Sequence, residues 1–276
     1  MELKIILVLL LTCMLAAAQG GTPVPQGSSI PGASAIPLGL TGPAFLEAGG
    51  GYSNLTQGFT PWKDAYIRGM MSGGRNTLSG EAVRESRYSD AGWFFGATWT
   101  RTLGEDWYSE LHFGSSTVSG FFLPRLRTGG TINRKLLAHR QLVLNGGFGY
   151  DKSKTVNDAF RTSVGAIYYF EHPFVLEGGV TWTLARPGSV LAHTQYAAIT
   201  QGHEKEHYIS LRAEIGREGY ELVGPRTSLF NFVIHDYSAN WRQWIGPNWG
   251  VNVAYEHESN IAFRRNGGTL GLFFEF

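Results

Sequence analysis

Two short stretches carry residue types that could do chemistry. His203-Glu204-Lys205-Glu206-His207 spells H-E-x-x-H. On a helix, that spacing stacks two imidazoles on one face, where they can share a zinc ion. Here Gly202 precedes it and an alternating run, Tyr208-Ile209-Ser210-Leu211, follows. In a continuous strand the two histidines would lie ~13 Å apart, too far to share a metal. The segment therefore reads as a charged turn, and no metal is expected there. The second stretch is Tyr255-Glu256-His257-Glu258-Ser259-Asn260. Residues two apart in a strand share a face, so His257 and Ser259 would lie together. A base beside a serine can activate it to attack an acyl ester. His235 and Asp236, on the preceding strand at about the same height, are candidates to orient that pair.

Both stretches are embedded in β-type sequence. Of 276 residues, 43% are hydrophobic, 13% aromatic and only 16% charged; Gly occurs 37 times and the formal net charge is +1. There is no basic run to suit a nucleic acid. Met1-Glu2-Leu3-Lys4, the apolar run Ile5–Leu15 and Ala16-Ala17-Ala18 read as a secretory signal peptide over 1–18. Cys13, the only cysteine, lies inside it. Past it, no apolar run is long enough for a membrane helix, and no disulfide framework or thiol chemistry is expected. Residues 19–42 read as a Pro/Gly/Ser linker.

From 43 to 276 the period is two. Fourteen strands are expected, with twelve or sixteen as alternatives, near 44–53, 63–72, 79–89, 91–102, 107–115, 125–137, 140–151, 159–170, 174–184, 190–201, 207–217, 230–244, 248–258 and 264–276. Short turns (103–106, 138–139, 171–173, 245–248) alternate with mostly longer connections (54–62, 116–124, 185–189, 218–229, 259–263). That is the pattern of an all-β chain forming a single antiparallel transmembrane β-barrel, with short periplasmic turns and longer outer loops. The faces separate: Trp93, Phe95, Ala97 and Trp99 oppose Gly96, Thr98 and Thr100, and Ile209, Leu211, Ala213 and Ile215 oppose Ser210, Arg212 and Glu214. Alternation also puts Trp249, Val251, Val253, Tyr255, His257 and Ser259 on the lipid face.

The last strand, 269–276, sets Leu270, Leu272, Phe274 and Phe276 on one face. It resembles the C-terminal signal that barrel-assembly machinery reads on outer-membrane proteins. Four further stretches resemble the YaiO-type outer-membrane β-barrels. They are Leu46-Glu47-Ala48-Gly49-Gly50-Gly51-Tyr52-Ser53 with Trp62-Lys63-Asp64-Ala65-Tyr66; Gly216 to Pro225; Arg242 to Asn252; and Arg264-Arg265 with Gly268 to Phe273. The resemblance implies an outer-membrane barrel of a Gram-negative-type cell, in contact with outer-membrane lipid and lipopolysaccharide. Relatives with helical repeats ahead of the barrel suggest envelope polysaccharide export; here only a linker stands in that place. His-x-Ser-Asn at 257–260 resembles the nucleophile region of outer-membrane phospholipase A and lipid A deacylase barrels, the basis of an alternative esterase reading.

The inward polar set is expected to be Glu110, His112, Arg127, Lys135, Arg161, Glu177, His193, Gln195, Arg212, Glu214, Asp236, Asn240, Arg242, Asn252 and Glu256. Two readings stay open: a hydrated lumen passing small solutes or glycans, or a salt-bridged plug. No cofactor is implied by either.

Overall fold

The computed structural model describes residues 38–39, 44–224 and 227–276. The signal-peptide reading of 1–18 lies outside the described residues, as does all of the 19–42 linker reading except Leu38–Gly39. Those two residues form a short strand, β1.

The other strands are β2 (Phe45–Leu55), β3 (Trp62–Arg87), β4 (Asp90–Thr102), β5 (Trp107–Ser116), β6 (Leu126–Leu136), β7 (Leu142–Lys152), β8 (Asp158–Tyr169), β9 (Phe174–Arg186), β10 (Val190–His203), β11 (His207–Gly224), β12 (Thr227–Gly246), β13 (Trp249–Ser259) and β14 (Arg264–Glu275). Neighbours along the chain pair antiparallel, β14 pairs with β2, and β3 with β4, so the sheet closes into a barrel. Among the described strands, β1 pairs with β3 alone.

Thirteen strands, β2 to β14, make up the ring, and an odd ring of single crossings cannot be antiparallel at every seam. Strand β3 resolves the parity. Its first arm pairs with β2 through 62–70 and its second with β4 through 76–87. Trp62 meets Arg87 and Tyr88, and Tyr66 packs on Val83. Residues so far apart along one extended strand could not touch, so β3 doubles back around Gly74, whose φ of +58° suits a residue without Cβ. The wall therefore has fourteen crossings, as the alternation predicted.

The phase of each strand follows its apolar residues. Leu270, Leu272 and Phe274 project outward, as do Trp93, Phe95 and Trp99 on β4 and Ile209, Leu211 and Ile215 on β11. An apolar outer face of this kind belongs in hydrocarbon. Trp249 stacks on Phe274 near the end with the short turns, as in an interfacial girdle. Ala44 and Phe276 exchange both backbone hydrogen bonds at that end.

One connection differs from expectation. The spacing predicts a loop over 218–229, yet β11 continues to Gly224 and β12 starts at Thr227. The two strands rise past the top of β13, where Ser259 pairs with His235. Ladder hydrogen bonds and the buried apolar residues Tyr220, Leu222 and Val223 extend the hairpin there.

Candidate functional site

The inward faces hold a set of ion-paired nodes. Toward the end with the short turns, Glu47 on β2 accepts from Tyr66 Oη (2.9 Å), Arg68 Nη2 (2.6 Å) and Asn252 Nδ2 (3.2 Å), while Arg242 Nη1 lies 3.7 Å from its other oxygen. Asn240 donates to Asn252 at 2.9 Å. Glycines make room here: a Cβ on Gly49 would stand 2.5 Å from Tyr66 Oη. Elsewhere Asp151 receives Arg127 Nε at 3.0 Å and also pairs with Arg161. Arg212 bonds Glu214 at 2.7 Å and lies over the Tyr196 ring. Glu110 accepts from Thr131, which accepts from Asn133.

Toward the outer end Arg265 pairs with both Glu256 and Glu258, and Arg87 sits 2.7 Å from Glu85 and over the Trp62 ring. Asp236, Glu256 and Glu258 bring carboxylate oxygens within 4.8 Å of one another, the described group best placed to hold a cation. Arg265 already supplies a positive charge to two of the three.

Above these nodes the mouth is covered. Phe59, Trp62, Tyr88 and Phe263 form edge-to-face pairs with centroids 5.4–6.0 Å apart. Tyr88 continues to Phe121, and Phe121 to Phe122. Val223, at the tip of the β11–β12 hairpin, packs on Trp62 and Phe263, while Tyr220 and Leu222 pack on Ala159 and Ala185. The hairpin thus touches β3 on one side and β8 and β9 on the other. Lys154 clips the 153–157 loop to the cap by donating to the Ser119 and Gly120 carbonyls at 2.6 and 2.5 Å. Partial burial holds its ammonium below the usual lysine pKa. A cavity under the cap, between Phe122, Arg127 and Tyr220, holds about 20 Å³, room for about one water.

The expected lining residues divide as follows. Glu110, Arg161, Glu177, Arg212, Glu214, Asp236, Arg242 and Glu256 share the inward face, and so do Arg127, Asn240 and Asn252. His112 lies on that face too, across from Gly129, and Lys135 reaches the Tyr108 ring. His193 and Gln195 do not line the interior. They lie on the outer face of β10 with Leu191 and Ile199, and His193 stands opposite outward Trp182. The two large aliphatics set the phase, so Ala192, Thr194 and Ala198 turn inward. The expected set omits Glu47, Arg68 and Asp151, as well as Glu85, Arg87, Glu258 and Arg265; of the first three, only Glu47 is the single charge of its strand. The signal available for those three was their odd spacing from outward Leu46, Ile67 and Phe148, which puts them on the opposite face.

His203 and His207 stand directly opposite each other across the β10–β11 hairpin. The segment is a turn, but its histidines are not held apart as in a continuous strand, because the chain reverses between them. His207 Nε2 lies 3.3 Å from Gln201 Oε1, and His203 Nδ1 is 3.9 Å from Glu206. His257 and Ser259 face outward as expected. His257 Nδ1 engages Asn266 at 2.8 Å and its ring stacks on Tyr237. Asp236 cannot orient this pair: it points to the opposite side of the sheet, toward Glu256 and Glu258.

A family model, the YaiO membrane beta barrel domain, matches residues 45–221, well over half of the chain. The chain belongs to the YaiO family of membrane β-barrels. Solved structures similar to this YaiO barrel include a bacterial polysaccharide outer membrane secretin (TM-score 0.54, 7% identity, 84% of this chain and 98% of that one). The CymD monoaromatic hydrocarbon channel gives a TM-score of 0.51 at 7% identity, covering 83% and 87%. Omp33, an outer membrane protein of Acinetobacter baumannii, gives 0.50 at 12%, covering 85% and 99%. At such identities the likeness is one of fold, and it agrees with a place in the outer membrane of a Gram-negative bacterium. A comparison with curated proteins finds no match.

Proposed function

We propose that this YaiO barrel serves the envelope as a closed, non-enzymatic membrane protein and not as an open pore. The supporting observation is the inaccessibility of its inward charges. In a water-filled lumen, lining carboxylates and guanidiniums would be wetted. Here Glu47 and Asp151 expose 0% of their surface, Glu177 2%, Arg161 3% and Arg68 4%. Conduction of a small solute or a glycan would require the cap to lift and these pairs to part.

The esterase reading draws less support. His257 is turned to Asn266, and among the described residues no carboxylate shares the outward face with Ser259 near enough to complete a relay. The test is a pair of assays on one reconstituted preparation: liposome swelling in small sugars, and release of fatty acid from phospholipid or lipid A. Both are expected to be silent. Swelling by the native protein would contradict the closed barrel, and hydrolysis lost in Ser259→Ala would establish the esterase.

A further inference from the structure

On the outer third of β12, β13, β14, β2 and β3, the two faces differ in charge: carboxylates lie only on the inward one. The inward side mixes Asp64, Glu85, Asp236, Glu256 and Glu258 with the ion-paired Arg87 and Arg265. The outward side carries Lys63, Arg84 and Arg264, all exposed, and none is in an ion pair with another described residue. These three share a continuous outward grid set by the strand register. Tyr237 pairs with His257, His257 with Asn266, and Asn266 with Asn54. One step lower, Tyr255, Gly268, Tyr52 and Lys63 line up; one step higher, His235, Ser259 and Arg264 do. Arg84, on the second arm of β3, stands opposite outward Trp93. No Asp or Glu occurs on this grid among the described residues.

The height of the grid bears on what it meets. From Trp249 in the lower girdle to His257 is eight residues along β13. At ~3.4 Å per residue and a tilt of ~40° this rises about 21 Å, close to the top of an apolar band ~25 Å tall. Ser259, paired with Arg264, stands two residues higher still. Arg264 therefore sits where outer-leaflet headgroups begin, and Lys63, in the row of Tyr255, lies below it with a side chain long enough to reach upward. Asn266 is pre-oriented for polar contact: its Oδ1 receives Tyr255 Oη at 2.9 Å and faces His257 Nδ1 at 2.8 Å, which leaves its amide donors free of that task.

We propose that this face is a binding site for a phosphorylated glycolipid of the outer leaflet, with Lys63, Arg84 and Arg264 taking its phosphates and the Tyr52, Tyr237, Tyr255 and Asn266 grid lying against its sugar. Charge complementarity selects the occupant: a cationic, acid-free, aromatic-studded face at headgroup height matches an anionic sugar headgroup. The proposal rests on outer-membrane placement and is independent of whether the lumen is open.

The experiment compares purified, detergent-solubilised full-length protein with the K63Q/R84Q/R264Q variant, titrated with bisphosphorylated lipid A. Each basic residue near an anionic lipid surface contributes about fivefold, so the triple change is expected to weaken binding about a hundredfold. Lipid A stripped of phosphate should bind the unchanged protein as weakly. A control variant, R186Q/R217Q, removes outward cations on β9 and β11 and should stay within about twofold. Equal loss in the control would show diffuse rim attraction and overturn the site. Undiminished binding of dephosphorylated lipid A would overturn the phosphate assignment, and equal affinity for phosphatidylglycerol would overturn the glycolipid one. Heat-modifiable gel mobility verifies folding; if the triple variant fails to fold, the three single changes must each read about fivefold.

Discussion

Replacing Asp151 by Ala separates a sealed interior from a wet one. Asp151 is fully buried on β7 and holds Arg127 from β6 and Arg161 from β8. The change leaves two guanidiniums facing each other with their shared counter-charge gone; the side chain of Arg161 is only 3% exposed and that of Arg127 15%. Removing one partner of a buried ion pair costs about 3–5 kcal/mol, because the stranded charge keeps its desolvation penalty. In an aqueous lumen the same pairs would be worth about 0–1 kcal/mol, since water would solvate whatever was left. The two predictions do not overlap. Urea unfolding of the protein in lipid vesicles, followed by tryptophan fluorescence, reads the difference. The R127M/D151L/R161M variant should recover most of the loss, because it removes all the charges and keeps apolar volume. A loss below about 1 kcal/mol for Asp151→Ala would refute the sealed interior at this node.

Topology is testable with single cysteines: Arg75→Cys should label only from the periplasmic side and Ser89→Cys at the cell surface, while equal surface labelling of both would contradict the doubled β3. Leu123 is fully buried in the cap, so Leu123→Ala should cost about 2–5 kcal/mol locally and speed proteolysis of the 117–125 loop on intact cells. Gly74→Val places a β-branched residue at a φ of +58°, and folded yield should fall by more than for Gly74→Asn, which tolerates that region better. Ser259→Ala should leave assembly, stability and lipid turnover unchanged, as measured by gel shift and fatty-acid release.

Much of the barrel is legible in the alternation, because a lipid-facing strand shows its phase through large apolar residues at every second position. Trp93, Phe95 and Trp99 fix β4, and Ile209, Leu211 and Ile215 fix β11. Strand β10 shows the limit. His193 and Gln195 sit on the outer face, and inward Ala and Thr give no contrast, so polarity alone puts them on the wrong side. The β11–β12 extension was hidden for a related reason: Glu218-Gly219 and the Gly224-Pro225 step look like loop punctuation, whereas Tyr220 to Val223 are cap residues buried by elements far away in the chain. The HExxH segment was placed correctly in a turn, but period-two reasoning cannot see that a turn brings its two histidines opposite each other. Which inward charges would pair was not legible at all, since Glu47 meets Arg242 only after the barrel closes.

Planar-bilayer recording of the native, vesicle-inserted protein tests the closed barrel most directly. The buried nodes beneath an aromatic cap predict a flat baseline at moderate voltage, with current appearing only when the β11–β12 hairpin tip is deleted and the buried pairs beneath it are also broken. A stable, ohmic conductance from the unaltered protein, sensitive to charge reversal at Arg161 or Arg212, would contradict it.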